Sequence, residues 1–150
     1  MSDWIDFSAQ EVSFGTGSLP LSITTGTEIL LTSIFLPIAD HQTRINGYAT
    51  IGWETPLLQN AQHINMIYRI RRGGFTSAHK LICWVVDSVS LGHDVPILTI
   101  DKTLSLQFTD LPSSENVGTY QRYCLTAELA GTGMASISGP VTLIGGTFNL

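Results

Sequence analysis

The sequence predicts an all-β fold, an antiparallel β-sandwich of jelly-roll type. Three observations lead there. The chain breaks into about eight to ten short apolar segments, many of them alternating in polarity, with turn chemistry every 8 to 15 residues or so. No stretch shows the 3.6-residue period of an amphipathic helix. Charged residues make up only 13% of 150 residues, about half the usual share, while Ser, Thr and β-branched residues are plentiful. About eight principal strands in one domain of this length fit a jelly roll better than an immunoglobulin-like sandwich or a lipocalin barrel.

The elements follow in order. Residues 1–27 read as an extended arm, with Trp4, Ile5 and Phe7 as an apolar anchor and one short strand near Glu11 to Phe14. Gly15, Gly17 and Pro20 interrupt any longer element, and the arm is placed to cover a sheet edge or reach a neighbouring subunit. Residues 28–150 form the single jelly-roll domain, which begins with EILLTSIF, a run apolar enough for a strand buried on both faces. Residues 44–54 alternate, with Ile45, Gly47, Ala49, Ile51 and Trp53 on one face and Asn46, Tyr48, Thr50, Gly52 and Glu54 on the other. In 64–72, Ile64, Met66, Tyr68 and Ile70 share a face, and Gly73-Gly74 signals a hairpin to the strand at 81–88. Gly92-His93-Asp94 is a further turn, strand character resumes at Ile100 and at 104–108, and 111–118 is a loop. The last third reads strand, turn, strand, turn, strand. Gly131-Thr132-Gly133 ends the first strand, 134–138 form a second, and Gly139-Pro140 turns into a closing strand from Val141.

Chemistry is sparse. The four histidines, His41, His63, His79 and His93, are dispersed among loops and strand ends and lack metal spacing. Cys83 and Cys124 make neither a disulfide framework nor a C-x-x-C pair, and read as small buried thiols, with a cross-strand disulfide left open. There is no G-x-S-x-G elbow for a nucleophile. Glu54, Asp87, Asp101, Asp110 and Glu128 qualify as paired catalytic acids by residue type alone. Gly73-Gly74 after Arg71-Arg72 lacks the following helix a phosphate loop needs. The expectation is therefore a protein without enzyme activity, metal or cofactor. Net charge is −5 with only two lysines, which disfavours nucleic acid and anionic membranes as partners. No apolar run is long enough to span a bilayer as a helix, and the acidic start is unlike a signal peptide.

Arg69, Arg71 and Arg122 stand on strands in a chain with few cations, and Arg69 or Arg122 is expected to pair with Glu54 or Glu128 across strands or subunits. The strand aromatics Tyr48, Trp53, Tyr68, Trp84, Tyr120 and Tyr123 suit a core, an interface or a sugar-stacking face.

Gly118-Thr119-Tyr120, the alternating QRYCLTAEL, a Gly turn and a terminal Gly146-Thr147-Phe148 strand together resemble the end of tumour-necrosis-factor/C1q-like jelly rolls. That resemblance covers the last third of the chain. It implies a homotrimer with aromatics packed about the threefold axis, on a bacterial cell, spore or virus-like surface, although the sequence has no collagen-like Gly-x-y stalk. Tyr120 and Phe148 match the family pattern, and Tyr48, Trp53 and Tyr123 join them as interface candidates from their strand positions. The leading expectation is a self-assembling structural or interaction module with itself as partner, and a surface protein or glycan as a further one. The alternative is a carbohydrate-binding module that uses exposed aromatics.

Overall fold

The computed structural model describes residues 3–12, 18–57, 62–91, 98–112 and 114–149. Among these residues, nine strands form two antiparallel sheets: β1 (Asp3–Glu11), β2 (Leu21–Ile23), β3 (Ile29–Pro37), β4 (Thr43–Leu57), β5 (Gln62–Arg72), β6 (Lys80–Leu91), β7 (Leu98–Asp110), β8 (Tyr120–Thr132) and β9 (Ala135–Asn149). The first sheet runs β1-β9-β4-β7, with β2 also on β9, and the second runs β3-β8-β5-β6.

This order has a simple origin. The chain doubles back on itself, so that β1 pairs with β9, β3 with β8, β4 with β7 and β5 with β6. Successive pairs fall alternately into the first and second sheet. Rolling one long antiparallel ribbon into two layers in this way is jelly-roll topology. The fold is thus an antiparallel β-sandwich of jelly-roll type, as the strand count and spacing indicated. The Ser114–Asn116 3₁₀ turn is short, and no helix among the described residues is long and apolar enough to cross a membrane.

Alternation decides which side chains enter the core. Ile45, Ala49, Ile51 and Trp53 of β4 face inward, as do Ile64, Met66, Tyr68 and Ile70 of β5 and Tyr123, Leu125, Ala127 and Leu129 of β8. They meet Val141 and Leu143 of β9 and Ile34 and Leu36 of β3. Burial of an aliphatic side chain contributes about 1.5–3 kcal/mol, so this layer dominates stability.

Several sequence expectations need correction. The segment near the N-terminus is more regular than an arm, because β1 pairs with β9 from Asp3↔Asn149 to Glu11↔Thr142. Ser13 to Gly17, the side chains of Trp4 and Ile5, and the Gly92-His93-Asp94 turn lie outside the described residues. β3 is buried on one face only, since Phe35 is exposed while Ile34 and Leu36 are enclosed. The two strand signals at 100 and 104–108 are one strand, β7, because Asp101 and Lys102 continue the ladder opposite Glu54 and Trp53.

Gly139-Pro140 does not turn the chain. β9 continues through it, and the extra residues form a bulge: Ile51 and Trp53 of β4 lie opposite Val141 and Ile137 of β9. Gly139 sits at φ +89°, which only glycine adopts readily. The bulge lets one strand serve β2 on its early half and β1 on its late half.

Candidate functional site

The outer face of the first sheet is the most distinctive surface. Outward positions on β1, β9, β4 and β7 align in rows through their registers. One row is Phe7, Gly146, Asn46 and Thr109; the next is Ala9, Ile144, Tyr48 and Gln107; a third is Glu11, Thr142, Thr50 and Ser105. Glu11, at a corner, is the one charged residue among these twelve positions. Phe7 is 63% exposed, Tyr48 55% and Ile144 38%.

Two adjacent glycines shape the middle of this face. Gly145 points inward, where a Cβ would lie 2.6 Å from Ile34 Cδ1 and 2.9 Å from Leu36 Cδ1. It lets β9 approach β3 closely. Gly146 points outward between Phe7 and Asn46 and supplies no side chain to its row. A depression of about 360 Å³ results, lined by Phe7, Asn46, Tyr48, Ile144 and the two glycines. Its walls are almost wholly apolar. Phe7, Tyr48 and Ile144 thus leave apolar side-chain surface open to solvent around the depression.

Of the expected interface aromatics, Tyr48 lies in this depression, and Tyr120 is 69% exposed on the second sheet. Phe148 lines a neighbouring cavity of the first sheet. Trp53 and Tyr123 belong to the core, which corrects their assignment to an interface. Both are fully buried. Trp53 Nε1 donates to Asp87 Oδ2 at 2.9 Å, and Lys102 Nζ lies 5.6 Å from its ring while also pairing with Asp87. Tyr123 packs against Phe108 and donates its hydroxyl to Asp110 at 2.7 Å. Burial, then the Asp110 hydrogen bond and charge, push the Tyr123 hydroxyl pKa far above its ordinary value. The signal for both corrections was already in the alternation: Trp53 shares the parity of Ile45 and Ile51, and Tyr123 that of Leu125 and Leu129.

Of the charged candidates, Arg69, Arg122 and Glu128 lie on the other sheet and Glu54 on β4 of the first. Arg69 Nη1 pairs with Glu128 Oε2 at 2.7 Å and lies 3.5 Å from Glu28. Arg71 grips Glu28 in two hydrogen bonds, at 2.7 and 3.0 Å, and the Thr126 hydroxyl donates to the same carboxylate at 2.6 Å. Burial pushes the Glu28 pKa up, but the hydrogen bonds from Arg71 and Thr126 and the nearby Arg71 and Arg69 charges together hold it below the usual value. Arg122 and Glu54 form no ion pair among the described residues, so the expected pairing falls to Arg69 and Glu128. Arg122 instead lies between the rings of Phe35 and Phe75, at 5.8 and 6.0 Å. Glu54 accepts from the Ser136 hydroxyl at 3.2 Å. Glu28, which precedes β3, was missed by sequence reasoning, and Arg71, which follows a register shift in β5, stood out as a strand arginine but was given no partner.

The exposed Tyr and Trp side chains do not converge. Tyr48 is on the first sheet, while Trp84, 60% exposed, and Tyr120 are on the second. Trp84 reaches Thr126 of β8 through Arg69, six residues along the strand from Tyr120, or about 20 Å at the usual rise. Cys83 and Cys124 are both free thiols. No group of three or more His, Cys, Asp or Glu residues is placed to hold a metal among the described residues.

No protein-family model matches the chain, and no curated protein matches it. Among solved structures, one described as "CBM4 structure and function" aligns over 95% of this chain and 93% of that chain, at 11% identity and a TM-score of 0.28. The infectious bursal disease virus VP2 subviral particle aligns over 95% of this chain and 39% of that chain, at 12% identity and a TM-score of 0.24. The jelly-roll assignment rests on the strand order above and takes nothing from these likenesses.

Proposed function

We propose that this protein is a non-enzymatic structural or interaction module that self-assembles as a homotrimer through the outer face of its first sheet. The observation that carries this reading is the uncharged, aromatic-lined depression around Gly146, set in rows of Thr, Ser, Asn and Gln. A charge-free centre with aromatic anchors and a polar rim is the composition of an interface core. The resemblance of the C-terminal third to tumour-necrosis-factor/C1q-like domains supports a threefold arrangement and a place on a cell, spore or virus-like surface. Tyr48 is the principal contact. A closed ring needs a head-to-tail contact, so each copy presents the depression to one neighbour and a different surface to the other.

Sedimentation velocity over a wide concentration range tests the reading. A species of three times the chain mass, persisting on dilution to micromolar concentration, is expected. A single-chain mass throughout the range would overturn it. A carbohydrate-binding role is the competing reading; Trp84, Tyr48 and Tyr120 are too far apart to share one sugar, which leaves it the Phe7 and Tyr48 rings of the depression.

A further inference from the structure

The chain has seven Lys and Arg residues, and their placement is informative. Arg69, Arg71, Arg72 and Lys102 are neutralised by Glu128, Glu28, Asp110 and Asp87. Arg122 is held between two phenylalanine rings. The remaining two, Arg44 on β4 and Lys80 at the start of β6, have no carboxylate within 4.0 Å among the described residues. Both line the same cavity, of about 450 Å³. The Arg44 Nε atom is buried and makes no hydrogen bond among the described residues.

The remaining walls say what would fit. Asn46 offers an amide, while Leu111 and Phe148 supply apolar surface. Asp110 also lines the cavity, but its carboxylate already accepts from Arg72 Nη1 at 3.1 Å and from the Tyr123 hydroxyl at 2.7 Å. Its charge is thereby compensated, and the cavity keeps an excess of positive charge. Remote acids that give the chain its net charge of −5 are screened beyond about 8 Å at physiological ionic strength. The volume falls in the range of small-molecule sites, roughly 300–1,000 Å³, and exceeds the needs of a bare inorganic ion.

We infer that this cavity binds a small organic oxyanion, a carboxylate or phosphate carried on a body of about monosaccharide size, between Arg44 and Lys80. The guanidinium and the ammonium hold the oxyanion by charge-assisted hydrogen bonds, and the Phe148 and Leu111 walls cover the carbon skeleton. The inference is independent of self-assembly, although Asn46 lines both this cavity and the apolar depression.

Isothermal titration of the full chain with glucuronate, glucose 6-phosphate and neutral glucose tests it. Saturable binding of at least one charged sugar is expected, with glucose silent, and the preferred probe identifies the oxyanion as carboxylate or phosphate. Arg44→Gln and Lys80→Gln should each weaken binding about tenfold or more, while Arg122→Gln, which does not line the cavity, leaves it unchanged. Lys80 is exposed, so Lys80→Gln keeps the test sound should Arg44→Gln fold poorly. Absence of saturable binding, equal binding of glucose, or an equal loss in Arg122→Gln would overturn the inference. So would a result in which Arg44→Gln and Lys80→Gln lower only the assembly mass, since the two cations would then serve a neighbouring copy's carboxylate.

Discussion

Truncation of Tyr48 to alanine probes the assembly face without touching the core. Tyr48 is 55% exposed, which leaves about 110 Å² of an aromatic side chain of about 200 Å² available to a partner. At about 25 cal/mol per Å², covering that area contributes about 2.7 kcal/mol per contact. A closed trimer repeats the contact three times, so Tyr48→Ala removes about 8 kcal/mol from the assembled state. The midpoint concentration of a monomer–trimer equilibrium varies as the inverse square root of its association constant. A loss of about 8 kcal/mol therefore raises the midpoint about a thousandfold. This figure is a ceiling, because it treats the ring as completely covered. The assay is sedimentation velocity of wild type and Tyr48→Ala side by side, with far-ultraviolet circular dichroism confirming that both retain their sheet. The wild type should remain trimeric where the variant is monomeric. A midpoint shift smaller than about tenfold would refute the placement of Tyr48 in the contact.

Three further perturbations address the fold beneath that face, each compared at fixed protein concentration because assembly itself shifts apparent stability. Gly52→Ala places a Cβ 1.9 Å from the Gly139 carbonyl oxygen, a backbone atom that cannot swing aside. It should cost about 3 kcal/mol or more and lower Tm by roughly 2–4 °C per kcal/mol; an unchanged melt would disprove the close approach at the β9 bulge. Trp53→Phe removes the indole donor to Asp87 while leaving Lys102 in place. Urea denaturation should show a loss of about 2–3 kcal/mol, and a neutral result would argue against a structural role for that hydrogen bond. Glu28→Gln weakens the grip of Arg71 and should cost about 2–4 kcal/mol at neutral pH. The Glu28 pKa is lowered in the folded state, so its contribution is present above its unfolded pKa and is lost as pH falls through the lower folded value. The gap between wild type and Glu28→Gln should accordingly close in acid, and a gap constant with pH would show that the carboxylate charge is not what stabilises the pair.

The period-2 pattern made much of this fold legible, because burial on one sheet face leaves a direct trace in sequence. It located the inward residues of β4, β5 and β8. It could not show that Gly139-Pro140 bends a continuing strand, since a glycine–proline pair suits a turn and a bulge alike. Nor could it distinguish β3, where apolar residues occur on both faces, from a strand covered on both sides. Phe35 is apolar, yet it lies exposed beside Arg122, whose guanidinium supplies a partner that period-2 reasoning does not register. The candidate site was only partly readable. Tyr48 stood out as an aromatic on the polar parity, but Phe7, Ile144 and Gly146 become neighbours only when β1 and β4 flank β9. Those contacts join residues that are far apart in the chain, Tyr48 with Ile144 and Phe7 with Gly146.

The scarcity of charge then acquires a consequence that one titration can examine. Most cations are neutralised within the sandwich or stacked on rings, and the rows around Tyr48 carry almost no charge. In the proposed trimer, association through that face is driven by apolar burial, which salt does not screen, whereas a ligand held by Arg44 and Lys80 would depend on partly exposed charge. Raising ionic strength to about 1 M shortens the screening length to about 3 Å. The trimer mass should persist under those conditions, and excluded salts such as sulfate should strengthen it. Oxyanion affinity should fall over the same range. A trimer that dissociates as sodium chloride is added would mean that ion pairs between copies hold it, and the uncharged rows of the first sheet would then face solvent.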